Sequence, residues 1–219
     1  MKFLSLLMLC LILCPVALAQ EHPKSELFGG YSLLRTESDS VDLTLDGQTV
    51  SAKRRGAFLN GFNVSVTYNP ARWAGFIVDG GGNYGNIDYT ATIPGLSATA
   101  GVRTNFHTLL LGPQFSRRGD RATFFVRALA GVAFVSQTLD LTGFGGLKTE
   151  ADGKAFAGAA GAGFDIKLSD RVSLRAIQAD YIFTRFGDPK FVINGQTLSG
   201  PDTQHSIRIS TGFVFRNRD

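Results

Sequence analysis

The residues whose types could most directly take part in catalysis lie near the end of the chain, where Asp202, His205 and Ser206 are close in sequence. A hydrolase needs a nucleophile and a base within hydrogen-bond reach, and these residue types could supply them. Adjacent residues of a strand point to opposite faces, so His205 and Ser206 can share a substrate only if no strand has begun there. A lipid-modifying enzyme is therefore a minor alternative, and we expect no catalytic residues.

A glycine-rich stretch from Gly80 to Gly85 matches the spacing of the dinucleotide-binding fingerprint and follows the strand-like residues 76–78. That fingerprint binds a pyrophosphate only when a helix follows it, because the helix N-terminus supplies the donors. Residues 86–90 continue instead as an extended segment. The stretch is typical of glycines at a crowded sheet surface. We expect no cofactor.

Metal ligands and a glycan acceptor find equally little support. The three histidines, His22, His107 and His205, lack the spacing of metal ligands. Residues 63–65 match the N-glycosylation pattern, but they fall in the middle of a predicted strand with Asn63 on its inner face. We therefore expect neither a metal site nor a glycan.

Charged residues on inward-facing strand positions form the site that the sequence does predict. They are Asp79, Arg127, Asp165, Asp180 and Arg208, with Glu26 as a further candidate. An unpaired buried charge costs about 3–5 kcal/mol, so these residues are expected to pair with one another. Side chains fill the interior of an eight-stranded barrel. A structural ionic network in the lumen is the favoured interpretation, and a gate in a narrow conduit is the alternative.

These charged residues lie in segments, here called blocks, in which apolar and polar residues alternate along the chain. There are eight blocks of about ten residues each, at 26–34, 56–68, 73–85, 104–116, 122–135, 154–167, 172–186 and 205–216. The connections between them alternate in length. Long connections lie at 35–55, 86–103, 136–153 and 187–204, and short ones at 69–72, 117–121 and 168–171. Short turns at one end and long loops at the other are typical of antiparallel strands that cross a bilayer.

The residues of each block separate onto an apolar and a polar face. In the second block Phe62 and Val64 alternate with Asn63 and Ser65. The polar faces are rich in small residues that fit a narrow interior. Lys or Arg facing lipid at the bilayer midplane would cost about 2–4 kcal/mol, and the apolar faces carry none. The apolar faces are therefore predicted to contact lipid, with an interfacial girdle near the short turns formed by Tyr68, Trp73, Phe115, Phe124 and Phe215.

The block at 172–186 does not follow this alternation. The phase that places Gln178 and Asp180 inward sends Arg175 outward. A bulge near Ala176 would turn Arg175 inward again. Alternatively, Arg175 could lie at the interface and extend its charged end toward water. The sequence leaves both possibilities open.

The long connections contain turn signals of their own. Asp46-Gly47 and Asn194-Gly195 are dipeptides that favour tight hairpin turns, and each stands between short alternating segments. Pro94-Gly95 occupies a similar place in the second long connection. These connections are therefore expected to continue the strands beyond the membrane.

The first segment is predicted to direct export. A positive start, an apolar run at 3–13 and the small residues at 17–19 form the layout of a secretory signal peptide, so residues 1–19 should be removed. Both cysteines, Cys10 and Cys14, fall inside that segment, which leaves none in residues 20–219. The net charge of +4 is spread along the chain without a basic stripe, so no nucleic-acid partner is expected.

The segments 28–32, 110–115, 161–165, 178–181 and 212–215 resemble segments of small outer-membrane β-barrel proteins of the OmpA-like type. The resemblance implies an all-β fold, an eight-stranded antiparallel up-and-down transmembrane barrel over residues 20–219, in a Gram-negative-type outer membrane. No peptidoglycan-binding domain is expected to follow the barrel. The expected protein is a monomer in contact with outer-membrane lipid, with a structural or adhesion-like role through four long loops and a surface ligand that is not identified. A narrow gated pore and a soluble periplasmic lipid carrier are the remaining alternatives.

Overall fold

The computed structural model describes residues 22–45, 48–93, 96–141, 147–187, 190–193, 196–199 and 203–217. The predicted signal segment and the turn dipeptides at 46–47, 94–95 and 194–195 lie outside the described residues. The described chain forms twelve strands: β1 Ser25–Thr36, β2 Asp39–Leu45, β3 Gln48–Arg54, β4 Phe58–Tyr68, β5 Ala74–Ile93, β6 Leu96–Arg118, β7 Ala122–Leu141, β8 Leu147–Lys167, β9 Val172–Phe186, β10 Lys190–Ile193, β11 Gln196–Ser199 and β12 Thr203–Asn217. Among these residues there is no helix with the length and apolar character to cross a membrane.

Eight of the strands close into a barrel. Their order around the wall is β5-β4-β1-β12-β9-β8-β7-β6, and pairing between β5 and β6 completes the ring. All neighbouring strands are antiparallel. Barrel strands that follow one another in the chain, with the loop strands left aside, are neighbours in the wall. The predicted eight-stranded antiparallel up-and-down barrel is confirmed, and each alternating block corresponds to one of its strands.

The long connections extend the sheet beyond the barrel. β5 and β6 have 20 and 23 residues, and β7 and β8 have 20 and 21. A membrane-spanning strand needs only about 9–11 residues, so roughly half of each strand projects as a hairpin. The first connection forms the β2–β3 hairpin, in which β3 pairs with β5, and the last forms the separate β10–β11 pair. The expectation that the second and third connections continue the barrel strands is confirmed.

The barrel wall turns its apolar face outward. Phe62, Val64 and Val66 of β4 are exposed, whereas the alternating Asn63 and Ser65 are buried in the interior. The same arrangement holds around the wall and confirms the predicted orientation. The five aromatic residues expected near the short turns are all exposed. Among them Trp73 stacks on Phe115 with ring centroids 5.9 Å apart.

The interior is less polar than the sequence suggested. A cluster of buried apolar side chains fills much of the lumen, largely toward the long connections, and includes Leu34, Leu59, Ile87, Phe106, Leu129 and Ile182. The expectation of a mainly hydrophilic interior was therefore incomplete. A closed bundle of inward side chains gains stability from apolar burial just as a soluble core does. The ionic residues occupy a layer between this apolar cluster and the short turns.

Candidate functional site

The central contact of the lumen joins Arg127 of β7 to Asp180 of β9. Arg127 Nε donates to Asp180 Oδ1 at 2.8 Å, and Nη2 donates to Oδ2 at 2.7 Å. Both side chains are completely buried. The two parallel bonds form the bidentate arrangement that a planar guanidinium makes with a carboxylate, which is among the strongest contacts available to charged side chains.

A second arginine and a second aspartate complete this centre. Arg208 Nη2 donates to Asp79 Oδ1 at 2.7 Å and to Asp180 Oδ2 at 3.1 Å. Arg127 Nη1 lies 3.1 Å from Asp79 Oδ2. Each arginine therefore contacts both aspartates, and the four charges sum to zero. Mutual compensation of this kind is what permits ionised groups to remain buried.

Two amides link the centre to neighbouring strands. Gln178 Nε2 donates to Asp180 Oδ2 at 2.9 Å and to Asn63 Oδ1 at 3.0 Å. Asn63 Nδ2 in turn donates to Asp79 Oδ2 at 3.0 Å. Asn63 is thus a lumen residue, as its strand phase predicted. Its amide supplies further hydrogen bonds to a charged cluster whose acceptors would otherwise be costly to bury.

Glycines leave the space that the network occupies. A Cβ at Gly81 would lie 2.7 Å from Arg208 Nη1, and one at Gly161 would overlap the carboxylate of Asp180. Gly81 belongs to the stretch that matches the dinucleotide fingerprint, yet that stretch lies inside the continuous strand β5. Its glycines are wall residues that allow close approach of neighbouring side chains, as the extended segment after them predicted.

A bulge in β9 brings Arg175 into the lumen. Phe164 of β8 is opposite Ile177, whereas the next residue, Asp165, is opposite Arg175, so Ala176 is the extra residue. Ala176 and Ile177 are consecutive exposed positions, and the strand phase is restored on either side of them. The bulge alternative is correct, and the outward position of Arg175 at the interface is not.

Arg175 is held on all sides. Its Nε donates to Asp165 Oδ1 at 2.8 Å, and its Nη1 donates to Gln178 Oε1 at 2.7 Å. The guanidinium also lies between two rings, 4.4 Å from the centroid of Phe28 and 4.2 Å from that of Phe125. Cation–π contacts of desolvated arginines stabilise such an arrangement. Arg175 therefore connects the central charges to the lower part of the lumen.

The network continues to the short-turn end of the barrel. Arg216 Nη2 lies 3.6 Å from Asp165 Oδ2, and Arg216 Nε lies 3.6 Å from Glu26 Oε1. Arg118 Nη2 donates to the same Glu26 oxygen at 3.0 Å. The interior opens here into a cavity of about 320 Å³, with Arg118 and Arg216 in its lining. Glu26 is thus an inward residue, as the sequence suggested.

His205 and His107 lie apart from this network, whereas His22 lines the cavity at its short-turn end. His205 Nδ1 is hydrogen-bonded to the hydroxyl of Tyr181 at 2.6 Å, while the neighbouring Ser206 is buried in the interior. The base and the hydroxyl of the possible hydrolase site therefore do not meet, and Asp202 lies outside the described residues. His107 is hydrogen-bonded to the hydroxyl of Tyr84 at 3.0 Å. Within the described ranges, no group of three or more acidic, His or Cys residues could hold a metal ion.

The site brings together all five of the predicted lumen charges and adds residues that strand phase alone did not single out. Arg175 was missed because a bulge interrupts the alternation. Arg118 and Arg216 were missed because they stand at or beside the ends of their blocks, where inward and outward directions are least distinct. The strand phase had nevertheless placed Gln178 inward. Chemically, the centre is a charge-balanced cluster of two arginines and two aspartates, in which Arg127 Nη1 has an ion-pair contact with Asp79 but no hydrogen bond.

Comparisons with known proteins agree with this architecture. Residues 4–215 match the family model described as the outer membrane protein beta-barrel domain. Among solved structures, OprG of Pseudomonas aeruginosa is 16% identical, with 92% of this chain and 99% of that chain covered at a TM-score of 0.54. Neisserial surface protein A is 12% identical, with 89% and 97% covered at 0.52.

The attachment invasion locus protein Ail of Yersinia pestis is 15% identical, with 89% of this chain and 99% of that chain covered at a TM-score of 0.51. These likenesses concern the fold alone. No curated protein matches the chain. The family match covers nearly the whole sequence, and the barrel is closed with its apolar wall outward. The chain belongs to the family of small eight-stranded outer-membrane β-barrel proteins, and its location is the outer membrane.

Proposed function

We propose that this protein anchors a set of rigid hairpins in the outer membrane for contact with surfaces or molecules outside the cell, and that its lumen serves only to stabilise the barrel. The proposal rests on the contrast between a filled lumen and strands that project beyond the membrane. The side chains of Asp79, Arg127, Asp180 and Arg208 are at most 1% exposed, while the strands above them continue well past a membrane span.

The projecting hairpins supply a firm surface for such contacts. Antiparallel pairing continues along β5 and β6 as far as Ile93 opposite Leu96, and along β7 and β8 as far as Leu141 opposite Leu147. Because these hairpins continue the pairing of the barrel wall, a ligand would meet strands that are already paired with each other. Binding to a pre-organised surface avoids part of the entropy cost of association.

The lumen supports the structural half of the proposal. Opening a conduit would require Arg127 and Asp180 to separate, and each would lose contacts with buried partners. Breaking a buried pair of this kind costs about 3–5 kcal/mol. A narrow gated pore is therefore the second candidate. Discrete conductance steps in planar lipid bilayers would favour the pore, and a silent bilayer would favour the structural role of the lumen.

The proposal includes export through removal of residues 1–19 and a monomeric barrel. Its topology can be tested by labelling, because residues 20–219 contain no cysteine. Asp88 is exposed near the base of the β5–β6 hairpin, and Asp120 is exposed in a short turn. Intact cells should label Asp88→Cys with a membrane-impermeant maleimide. Asp120→Cys should label only after the outer membrane is permeabilised, and the reverse pattern would contradict the proposed orientation.

The interaction role requires a variant that keeps the barrel and loses the hairpins. Asp88 is directly opposite Gly101, and Ser136 is opposite Asp152. Replacing 89–100 and 137–151 with Asn-Gly turns should therefore close both hairpins at the barrel rim. Cells that display the full chain should attach to epithelial monolayers more strongly than cells that display the trimmed chain. Equal attachment, with equal surface amounts and heat-modifiable migration, would argue against the proposal.

A further inference from the structure

A groove opens on the outer surface where β1 lies between β4 and β12. Leu27 of β1 is directly opposite Val66 on one side and Phe215 on the other. All three side chains face outward, and about half of the surface of each is exposed. They form a single apolar row near the short-turn end of the wall, where the bilayer interface is expected.

The surface above this row is indented. Gly29 is the next outward position of β1, between Val64 of β4 and Phe213 of β12. A Cβ built at Gly29 would meet no atom within 4 Å, so the space above it is open. The surface is therefore open over Gly29, between Val64 and Phe213. This open space lies farther along β1 than the apolar row, in the direction of the membrane interior.

Polar and positively charged groups surround the lower end of the groove. This end of the groove is a pocket of about 470 Å³, lined by Ser25, Glu26, Arg171, Arg216 and Asn217 in addition to the apolar row. Arg171 is exposed, and its side chain has no ion pair or hydrogen bond to any other residue in the described part of the chain. The guanidinium of Arg216 lies inside the barrel, 3.6 Å from Glu26 and from Asp165, so Arg171 supplies the positive charge at this end of the groove.

The carboxylates near the groove are already engaged. Glu26 is buried and accepts a hydrogen bond from Arg118 at 3.0 Å. Asp170, next to Arg171 in the chain, forms an ion pair with Lys167 at 2.7 Å. Neither acid therefore competes for the guanidinium of Arg171, and the lower end of the groove favours an anion.

We propose that this groove binds one glycerophospholipid of the leaflet at the short-turn end. Its phosphodiester lies at Arg171 beside Ser25, and one acyl chain follows the row of Leu27 and Val66 to the open space over Gly29. A guanidinium is well suited to phosphate oxygens because its N–H groups match them in pairs. A soluble phosphate would satisfy the charge but leave the apolar walls uncovered, whereas an amphiphile satisfies both.

Native mass spectrometry of the barrel released from phosphatidylglycerol-containing nanodiscs tests this site. The unaltered protein should retain one phospholipid. Arg171→Gln removes the charged donor and should weaken retention by about tenfold or more. Gly29→Leu fills the open part of the groove without meeting a neighbouring atom at its Cβ, and should weaken retention by about tenfold because several methylenes lose their contact.

Two matched variants serve as controls. Arg121 stands immediately before β7, as Arg171 stands immediately before β9, and both are exposed. Arg121→Gln should therefore leave retention unchanged. Ala128→Leu enlarges an exposed position of the wall on β7, away from the groove, and should also leave it unchanged. All variants should show heat-modifiable migration, which establishes that each barrel is folded.

Three outcomes would overturn the proposal. The first is that the unaltered protein releases from nanodiscs without a phospholipid. The second is that Arg171→Gln and Arg121→Gln reduce retention equally, since this would indicate general surface charge. The third is that inorganic phosphate or glycerol 3-phosphate binds as tightly as the phospholipid, because the apolar walls would then contribute nothing.

Discussion

Arg175 and Asp165 meet inside the barrel because β9 contains one residue more than β8 requires. Arg175 Nε and Nη2 donate to the two carboxylate oxygens of Asp165 at 2.8 and 3.2 Å. The bulge at Ala176 is the cause, since it reverses the side-chain phase below it. Thr211 of β12 lies beside the bulge and donates its hydroxyl to the carbonyl of Arg175 at 3.0 Å. The irregularity is thus built into the charge network.

Deleting Ala176 should prevent assembly of the barrel. Without the extra residue Arg175 would turn toward lipid, and Asp165 would lose its bidentate partner. An unpaired buried carboxylate costs about 3–5 kcal/mol, and an arginine in the bilayer adds to that penalty. Heat-modifiable migration after refolding into detergent measures the result. Ala176→Val keeps the residue count at an exposed position and should fold normally. A folded deletion variant would show that the bulge is dispensable.

Arg127→Met should destabilise the barrel by about 3–5 kcal/mol because Asp180 would lose two of its hydrogen bonds in the buried centre. The double variant Arg127→Met with Asp180→Leu should recover part of that loss, since neither charge would remain unpaired. Urea unfolding in lipid vesicles, followed by the fluorescence of Trp73, the single tryptophan, measures both.

Lys167→Met is the control for this cycle. Lys167 pairs with Asp170 at the surface, and exposed pairs contribute only about 0–1 kcal/mol. Its unfolding midpoint should therefore stay close to that of the unaltered protein. If Arg127→Met behaves like Lys167→Met, the lumen pair does not stabilise the barrel, and the conduit becomes the better interpretation of the network.

The sequence was sufficient to predict the barrel because a wall between lipid and a filled interior imposes a strict two-residue period. Phe62 and Asn63 follow that period, and both lie where it places them. The same phase placed Asp79 and Arg208 in the lumen, where they pair. Which acid meets which arginine could not be predicted, since this depends on strand tilt and register around the ring.

Two features were beyond the reach of periodicity. A bulge inserts one residue at a position that alternation cannot locate, so Arg175 had two possible directions. Alternation also cannot identify an inward-facing apolar residue when the residues on either side of it in the strand are apolar too. Ile77 lies between the outward Phe76 and Val78, and the three together give no alternation. The apolar part of the lumen therefore emerged only from the three-dimensional structure.

Gly161→Ala should destabilise the barrel by about 1–3 kcal/mol, because the added methyl would overlap the carboxylate of Asp180 and force the network to shift. Urea unfolding in vesicles gives the measurement. Gly29→Ala provides the matched control, since its methyl would enter open space on the outer wall. Equal stability of the two variants would show that the lumen accommodates the methyl without strain.

Leu111→Lys tests whether the apolar outer face of the barrel wall contacts lipid. Leu111 is 64% exposed in the middle of the barrel part of β6, between Val78 and Ala130 of the neighbouring strands. If this surface contacts acyl chains, a lysine there should cost about 2–4 kcal/mol of folding free energy in vesicles. Asn86→Lys places the same charge at an exposed position near the rim and should cost only about 0–1 kcal/mol. The depth dependence is the decisive feature, since a water-facing wall would tolerate both lysines equally, and that result would exclude a membrane-spanning barrel.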